Sequence, residues 1–366
     1  MSPVKTGSAK TGSAKTGAAK TGAATTRPLS NAESRAAARA LDAARAAEAA
    51  RIAGELCRDA RCTALAHRWR ETTTWKSVCF DSVVCWNASL ILPHKSRGPS
   101  AAVWTNNWGE GEWLLPLYER VLGGSCTRSD GTRKVVVDIG ANIGMYSVYM
   151  AMRGCEVHAF EPLSINADHL ELTARTNGLG ERLHLHRLAT SDDANMTNLT
   201  LRWSHVETGL THVVPPSEKR YNDSSNQYVA GFRRLWNMHW NMEKDVRAGR
   251  VDNELRGVRP PILVDWMKVD VEGSELAALC SASGLFAASA ISWLGFEVNT
   301  KAITKKNALG VKALLEAMGM EQRVVPGIPK WQWSALGWHT GYMVMYARTT
   351  ASTTLANAPP QGLCRS

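Results

Sequence analysis

The sequence lacks several features that would settle its class at once. No apolar run of signal-peptide or transmembrane kind opens it, so the expectation is an intracellular protein, cytoplasmic or organellar, without a transmembrane segment. None of its eight cysteines, at 57, 62, 79, 85, 126, 155, 280 and 364, forms a Cys-x-x-Cys pair, and inside a cell they are expected as reduced thiols. The first thirty residues contain no acid and too few apolar side chains to offset the entropy of ordering. Their repeat, KTGSAKTGSAKTGAAKTGAAT, reads as a disordered basic arm, and its Ala, Ser, Thr and Lys also suit an organelle transit peptide, although those favour Arg. Acids stay scarce to residue 75, where thirteen Lys and Arg stand against six Asp and Glu, a balance of +7 out of +10 for the chain. The rest is only +3. A nucleic-acid enzyme needs its basic patch on the domain that works, so no specific nucleic-acid partner is expected.

What is present starts at residue 135. Residues 135–162, VVVDIGANIGMYSVYMAMRGCEVHAFEP, read as strand, glycine turn, helix, second strand and terminal acid. Val135, Val136 and Val137 are the β-branched run of a strand buried on both faces of a parallel sheet. Gly140 permits backbone torsions and a close ligand approach that a Cβ would obstruct, and Gly144 suits tight packing of the helix Met145 to Met152. The strand from Glu156 to Phe160 ends at Glu161, whose carboxylate can accept hydrogen bonds from both hydroxyls of a ribose. A dinucleotide site would carry G-x-G-x-x-G, but here one glycine precedes Gly144 in the turn and Asp138 stands where a pyrophosphate would be repelled. A cationic cofactor without phosphate, S-adenosylmethionine, fits better than NAD.

A second block has the same grammar. Ile262 to Val269 reads as a strand that gives way to helix at Asp270, Glu272 and Gly273, and Ala290 to Phe296 reads as another that ends in Glu297. In an open α/β sheet that carboxyl edge is where ligands bind. A single acid there is often a helix cap, whereas acids on successive strand ends point to a site.

VVVDIGANIGMYSVYMA, HAFEP and MKVDVEGSEL together resemble the FkbM family of S-adenosylmethionine-dependent methyltransferases over residues 110–348. The resemblance implies an α/β, class I methyltransferase (Rossmann-like) fold: a seven-stranded sheet flanked by helices, its last strand inserted antiparallel. It also implies methyl transfer to a hydroxyl, usually on a sugar, lipid or secondary metabolite. By that resemblance Asp138, Gly140, Ala141, Asn142 and Gly144 hold the methionine portion, Glu161 the ribose, and Ser191 and Asp192 border the adenine. That last segment departs from the family's usual alanine-leucine lead, having Leu188-Ala189-Thr190 instead.

The chemistry asks for alignment of the acceptor and for a base, because an alcohol is a poor nucleophile. Asp270 and Glu272 are the candidate catalytic residues, with Glu297 behind them; the alternative is that they orient substrate or bind a divalent cation. Histidine supplies competing bases at His205, His212 and His239. His158 is expected to be packed inside its strand. His184 and His186 alternate on one strand face, but with no third ligand at defined spacing no metal is assigned.

Four further expectations concern organisation. Residues 31–109 form a helical and irregular extension, Ala- and Arg-rich over 31–70 with Ser30 or Asn31 as N-cap. Residues 190–261 form an insertion too long for an ordinary connection, with a short strand near Leu199 to Trp203. Within it Phe232 to Val246 shows near-helical spacing, either an amphipathic helix that buries its rings or an acceptor lid whose indoles stack on sugar; Trp331, Trp333 and Trp338 raise the same alternatives. Residues 349–366 are a flexible tail. Sequons at Asn87, Asn195, Asn198 and Asn222 matter only in a secretory compartment.

Overall fold

The computed structural model describes residues 31–79, 84–91, 103, 111–193, 195–204, 208–214, 240–257, 262–298, 305–326, 342–348 and 363–364. The repeat arm, His205, His239, Asn222 and the tryptophans at 331, 333 and 338 lie outside the described residues. The chain divides into two compact units, residues 1–42 and 43–366. Helix α1 (Asn31–Leu56) begins in the first.

A seven-stranded sheet organises the second unit. The valine run forms β3 (Val135–Ile139), with every residue buried. Its parallel neighbours are β4 (Glu156–Phe160) and β10 (Val264–Val269). Outside these lie β5 (Leu183–His186), parallel on β4, and β11 (Ile291–Val298), parallel on β10. The last strand, β13 (Tyr342–Arg348), runs antiparallel between β11 and β12 (Met320–Arg323). The order is β12-β13-β11-β10-β3-β4-β5, the inserted antiparallel strand included, as the resemblance implies for a class I methyltransferase. Helices cover both faces, as a parallel sheet whose strands are apolar on both faces requires. Val136, Val157 and Trp266 face one core with α3 (Gly111–Pro116) and α4 (Met145–Met152); Val137, Met267 and Phe296 face the other with α7 (Glu275–Ser281).

The extension before residue 110 differs from expectation. After α2 (Ala60–Arg68) comes an antiparallel hairpin, β1 (Thr73–Cys79) and β2 (Cys85–Ile91). Val78, Trp86, Ala88 and Leu90 are buried in the same core as Tyr149 and Leu170, so no structural boundary falls at 110. The hairpin's exposed ladder is satisfied by α5 (Ser164–Thr176) and the residue after it: Asn87 N–H donates to Asn177 Oδ1 at 3.0 Å, and Ser89 N–H to Thr173 Oγ1 at 3.0 Å. An edge capped this way offers no template for pairing with another chain. The alternation Trp86, Ala88, Leu90 is a period-two signal that the Ala-rich stretch before it obscures.

The insertion is a second small sheet, β6-β9-β7-β8. It comprises β6 (Ala189–Thr190), β7 (Asn198–Ser204), β8 (His212–Val214) and β9 (Trp240–Gly249). The strand near Leu199 to Trp203 is therefore present. The helical reading of Phe232 to Val246 fails over its described part: from Trp240 onward the backbone is strand, paired antiparallel with β7, and residues 232–239 lie outside the described residues. Val246 and Ala248 are buried and Arg247 between them is exposed, the alternation of a half-buried strand. Asp245 sits at φ +56 and a register shift falls between Leu199 and Leu201, a bulge that breaks the alternation where helical spacing was inferred.

The cysteines overturn the expectation of reduced thiols. All eight are paired, Cys57 with Cys62, Cys79 with Cys85, Cys126 with Cys155 and Cys280 with Cys364. Their spacing carries no signal of this, since connectivity is set by the fold. The last bridge ties the tail back to α7, where Leu363 and Cys364 pack against buried core, so at that point the tail is held. Among the described residues no helix is long and apolar enough to cross a membrane.

Candidate active site

The carboxyl ends of β3, β4 and β10 open into one cleft, lined on its far side by the small sheet. Its wall from β3 is the turn after Ile139. Gly140 adopts φ +80, and a Cβ there would lie 1.8 Å from the carbonyl oxygen of Asp270. The two strand ends thus approach more closely than any side chain allows. Asn142 is left-handed at φ +54, and its N–H donates to Glu161 Oε2 at 2.8 Å while Leu163 N–H donates to Oε1 at 2.9 Å. Glu161 is therefore oriented by two backbone donors with its remaining lone pairs available to the cleft. Burial pushes its carboxyl up to about 7, against the lowering effect of those hydrogen bonds.

Opposite stand Asp270, Val271, Glu272 and Ser274, from the turn between β10 and α7. Glu272, like Asn142, is a non-glycine residue in the left-handed region, at φ +50. Such backbone costs about 1–3 kcal/mol and is concentrated at functional sites. Behind the turn, Glu275 is almost wholly buried and accepts from Gly273 N–H at 2.8 Å; burial pushes it up to about 7 as well. The small sheet contributes Leu201 and His212, and the turn before β8 contributes Thr208 and Thr211.

Not every expected residue reaches the cleft. Gly140, Asn142, Glu161, Asp270 and Glu272 line it together; Asp138, Ala141, Gly144, Ser191, Asp192 and Glu297 do not. Asp138 is a buried strut. Its Oδ2 accepts from Ser147 Oγ at 2.6 Å, and its Oδ1 is 3.5 Å from Lys268 Nζ. Gly144 lets α4 pack, since a Cβ there would meet Leu170 Cδ1 at 2.1 Å. Ala141 is buried and donates its N–H to Phe160 at 3.0 Å. Ser191 turns away, its N–H donating to Gly249 at 2.8 Å, and the carbonyl of Asp192 is taken by Arg250. Leu188, Ala189 and Thr190 line the cleft in their stead, because β6 pairs with β9 and turns the next residue outward.

Lys268 carries a role that sequence reasoning missed. Almost wholly buried, it reaches Asp138, Asp270 Oδ2 at 3.1 Å and the carbonyl of Gly140 at 3.3 Å. One ammonium thus joins the two motifs from below. Its position two residues before Asp270, on the same strand face, was the available signal.

Residues 138–318 match the methyltransferase FkbM domain. The chain carries an FkbM methyltransferase domain. It is a methyltransferase, and the glycine turn, Glu161 and the Asp270–Glu272 turn all fall inside the matched FkbM region. Similar solved structures include a human methyltransferase 10 domain containing protein (11% identity, 65% of this chain and 82% of that one, TM-score 0.31). A T. thermophilus 16S rRNA N2 methyltransferase, solved with AdoMet and guanosine, shares 12% identity over 75% of this chain and 50% of that one, with a TM-score of 0.35. A putative O-methyltransferase from Klebsiella pneumoniae shares 13% over 70% and 86%, with a TM-score of 0.34. No curated protein matches the chain significantly.

Proposed function

We propose that this FkbM domain is an S-adenosylmethionine-dependent O-methyltransferase acting on a hydroxyl of a sugar, lipid or secondary metabolite. The observation that carries the reading is the charge of the cleft. Glu161, Asp270 and Glu272 line it, and no Lys or Arg is among its described lining residues. Three carboxylates around one cavity suit a ligand that brings a sulfonium and an ammonium, and repel one that brings phosphates. For the same reason a specific nucleic-acid acceptor is not proposed.

When bound, the cofactor supplies an activated methyl for in-line displacement by the acceptor oxygen. Gly140 and Asn142, on the support of Asp138, Ala141 and Gly144, hold its methionine portion; Glu161 accepts from the ribose hydroxyls; Leu188 to Thr190 border the adenine in place of Ser191 and Asp192. Glu272 takes the acceptor proton. Asp270 is committed on one oxygen to Lys268 and orients the acceptor with the other. His212, on the opposite wall, faces the space left for the acceptor. A neutral amine would need less help from a base, so N-methylation is the alternative outcome of the assay.

We propose further that the chain matures in an oxidising compartment, against the cytoplasmic half of the expectation of a cytoplasmic or organellar protein, because four disulfides in one chain are rare where thiols are kept reduced. The test of function is a transfer assay with labelled S-adenosylmethionine against panels of sugars, lipids and small alcohols, and of amines. Methyl ethers among the products, lost with Glu272→Gln, are expected. Product from amines alone would overturn the O-methyl reading.

A further inference from the structure

The other end of β4 holds a cluster that methyl transfer does not use. Glu156, His158 and Phe160 point to one face of the strand, and His184 and His186 of β5 to the same face. The His158 and His184 rings stack with centroids 4.8 Å apart, and Phe160 stacks on His186 at 4.5 Å. Glu156 Oε1 lies 3.5 Å from His158 Nε2 and 4.0 Å from His184 Nε2, and the three atoms lie within 4.8 Å of one another. The third and fourth groups that the spacing of His184 and His186 did not reveal come from the adjacent strand.

A chain of hydrogen bonds fixes how the buried imidazole is used. Glu254, on the short helix α6 (Val251–Leu255), is paired with Arg247. A carboxylate only accepts, so the 3.3 Å contact to His186 places the proton on His186 Nδ1. His186 Nε2 then accepts from His158 Nδ1–H at 3.1 Å, which leaves His158 Nε2 as the nitrogen with the lone pair. That atom is buried without a hydrogen-bond partner, and its side chain is 3% exposed. It faces the oxygen of Glu156. A buried nitrogen lone pair that faces a carboxylate oxygen and has no water of its own is unfavourable unless a cation lies between them. A bridging proton would draw the pair to about 2.7–2.9 Å, shorter than the separation found. A tetrahedral ion with bonds of about 2.1 Å holds its ligands about 3.4 Å apart, close to the Glu156–His158 separation; the Glu156–His184 separation is 4.0 Å and all three atoms lie within 4.8 Å, so the half-exposed His184 ring must close in on the ion.

We propose that Glu156, His158 and His184 form a binding site for a divalent transition ion of the zinc class, with His186 and Glu254 as the outer partners that orient His158. Two imidazoles and one carboxylate are a donor set that such ions accept. The carboxylate–histidine chain behind the ligand is the arrangement that orients metal-bound imidazoles. His184, 40% exposed, leaves a side open for entry and for a water as fourth ligand. Glu156 begins β4 and Glu161 follows its end, about 16 Å away at strand rise, so the ion takes no part in methyl transfer. Its role is to fasten β5, the edge strand of the sheet, to β4.

The test uses the full, untagged chain, stripped with a chelator and titrated with Zn²⁺ by calorimetry and with Co²⁺ by visible absorption. One equivalent of Zn²⁺ per chain, a raised Tm and the intense visible bands of tetrahedral Co²⁺ are expected. His184→Ala removes a half-exposed ligand without opening the core. It should weaken Zn²⁺ binding by about 100-fold or more and abolish the rise in Tm, while Glu254→Gln weakens binding by about 10–100-fold. S-adenosylmethionine binding should be unchanged in both. Absence of saturable Zn²⁺ binding, or binding undiminished in His184→Ala, would overturn the proposal.

Discussion

The two ends of β4 carry two glutamates in opposite circumstances. Glu161, at the carboxyl end, is held by two backbone N–H groups beneath a cleft; Glu156, at the amino end, is met by imidazoles of its own and the next strand. The strand and the residue type are the same. What differs is that the parallel sheet gathers loop backbone at one end, where N–H groups and acids converge on a ligand, and gathers strand side chains at the other. The first arrangement is announced by short motifs at the strand ends. The second depends on which strand lies alongside.

The largest effect should come from the cleft. Glu272→Gln is expected to lower turnover by about 10²–10⁴ while leaving the affinity for S-adenosylmethionine within about threefold, read from kcat and from a calorimetric titration. Full turnover in that variant would remove the proton-accepting role from the carboxyl end. Gly140→Ala forces a Cβ against the Asp270 carbonyl and should abolish cofactor binding with a stability loss of about 2–3 kcal/mol, measured by denaturant unfolding. If it folds, zinc binding at the amino end should persist, which separates the two ends directly.

Replacing both Cys280 and Cys364 by Ala should cost about 2–4 kcal/mol, since that bridge closes the longest loop of the four, a separation of 84 residues. An unchanged unfolding midpoint would show that the tail adds nothing to the face on which α7 packs. The smallest effect is the most diagnostic of cost at the cleft. With its carboxyl raised from 4.5 to about 7, folded Glu161 binds its proton more tightly than the unfolded chain does. It therefore withdraws stability as pH rises from about 4.5 to 7 and keeps it withdrawn above that. Glu161→Gln should melt higher than the parent at pH 8, by a few degrees, with the gap closing toward pH 5. A gap independent of pH would contradict the buried charge.

Much of this was legible in sequence because its signals are local. Strand Glu156–Phe160 and helix Met145–Met152 have the bounds that residue pattern gives them, and the glycine turn with Glu161 encloses the cleft as its spacing implies. Pairing between distant segments was not legible. The hairpin Thr73–Ile91 rests on partners in and just after α5, nearly ninety residues on; strand Trp240–Gly249 was disguised by a bulge; and two of the disulfides join cysteines 29 and 84 residues apart that only the fold brings together. Ser191 and Asp192 lie outside the cleft because the two-residue strand Ala189–Thr190 pairs with β9 and turns the chain after Thr190.

The central claim is that Glu161 and the glycine turn bind a cationic nucleoside cofactor. Calorimetric titration of the oxidised full chain with S-adenosylmethionine and S-adenosylhomocysteine, beside NAD as control and with Glu161→Ala as the variant, tests it most directly. The account predicts micromolar binding of both sulfur ligands, none of NAD, and loss of binding in Glu161→Ala with zinc binding intact. Binding of neither sulfur ligand, or equal binding by the variant, would contradict it.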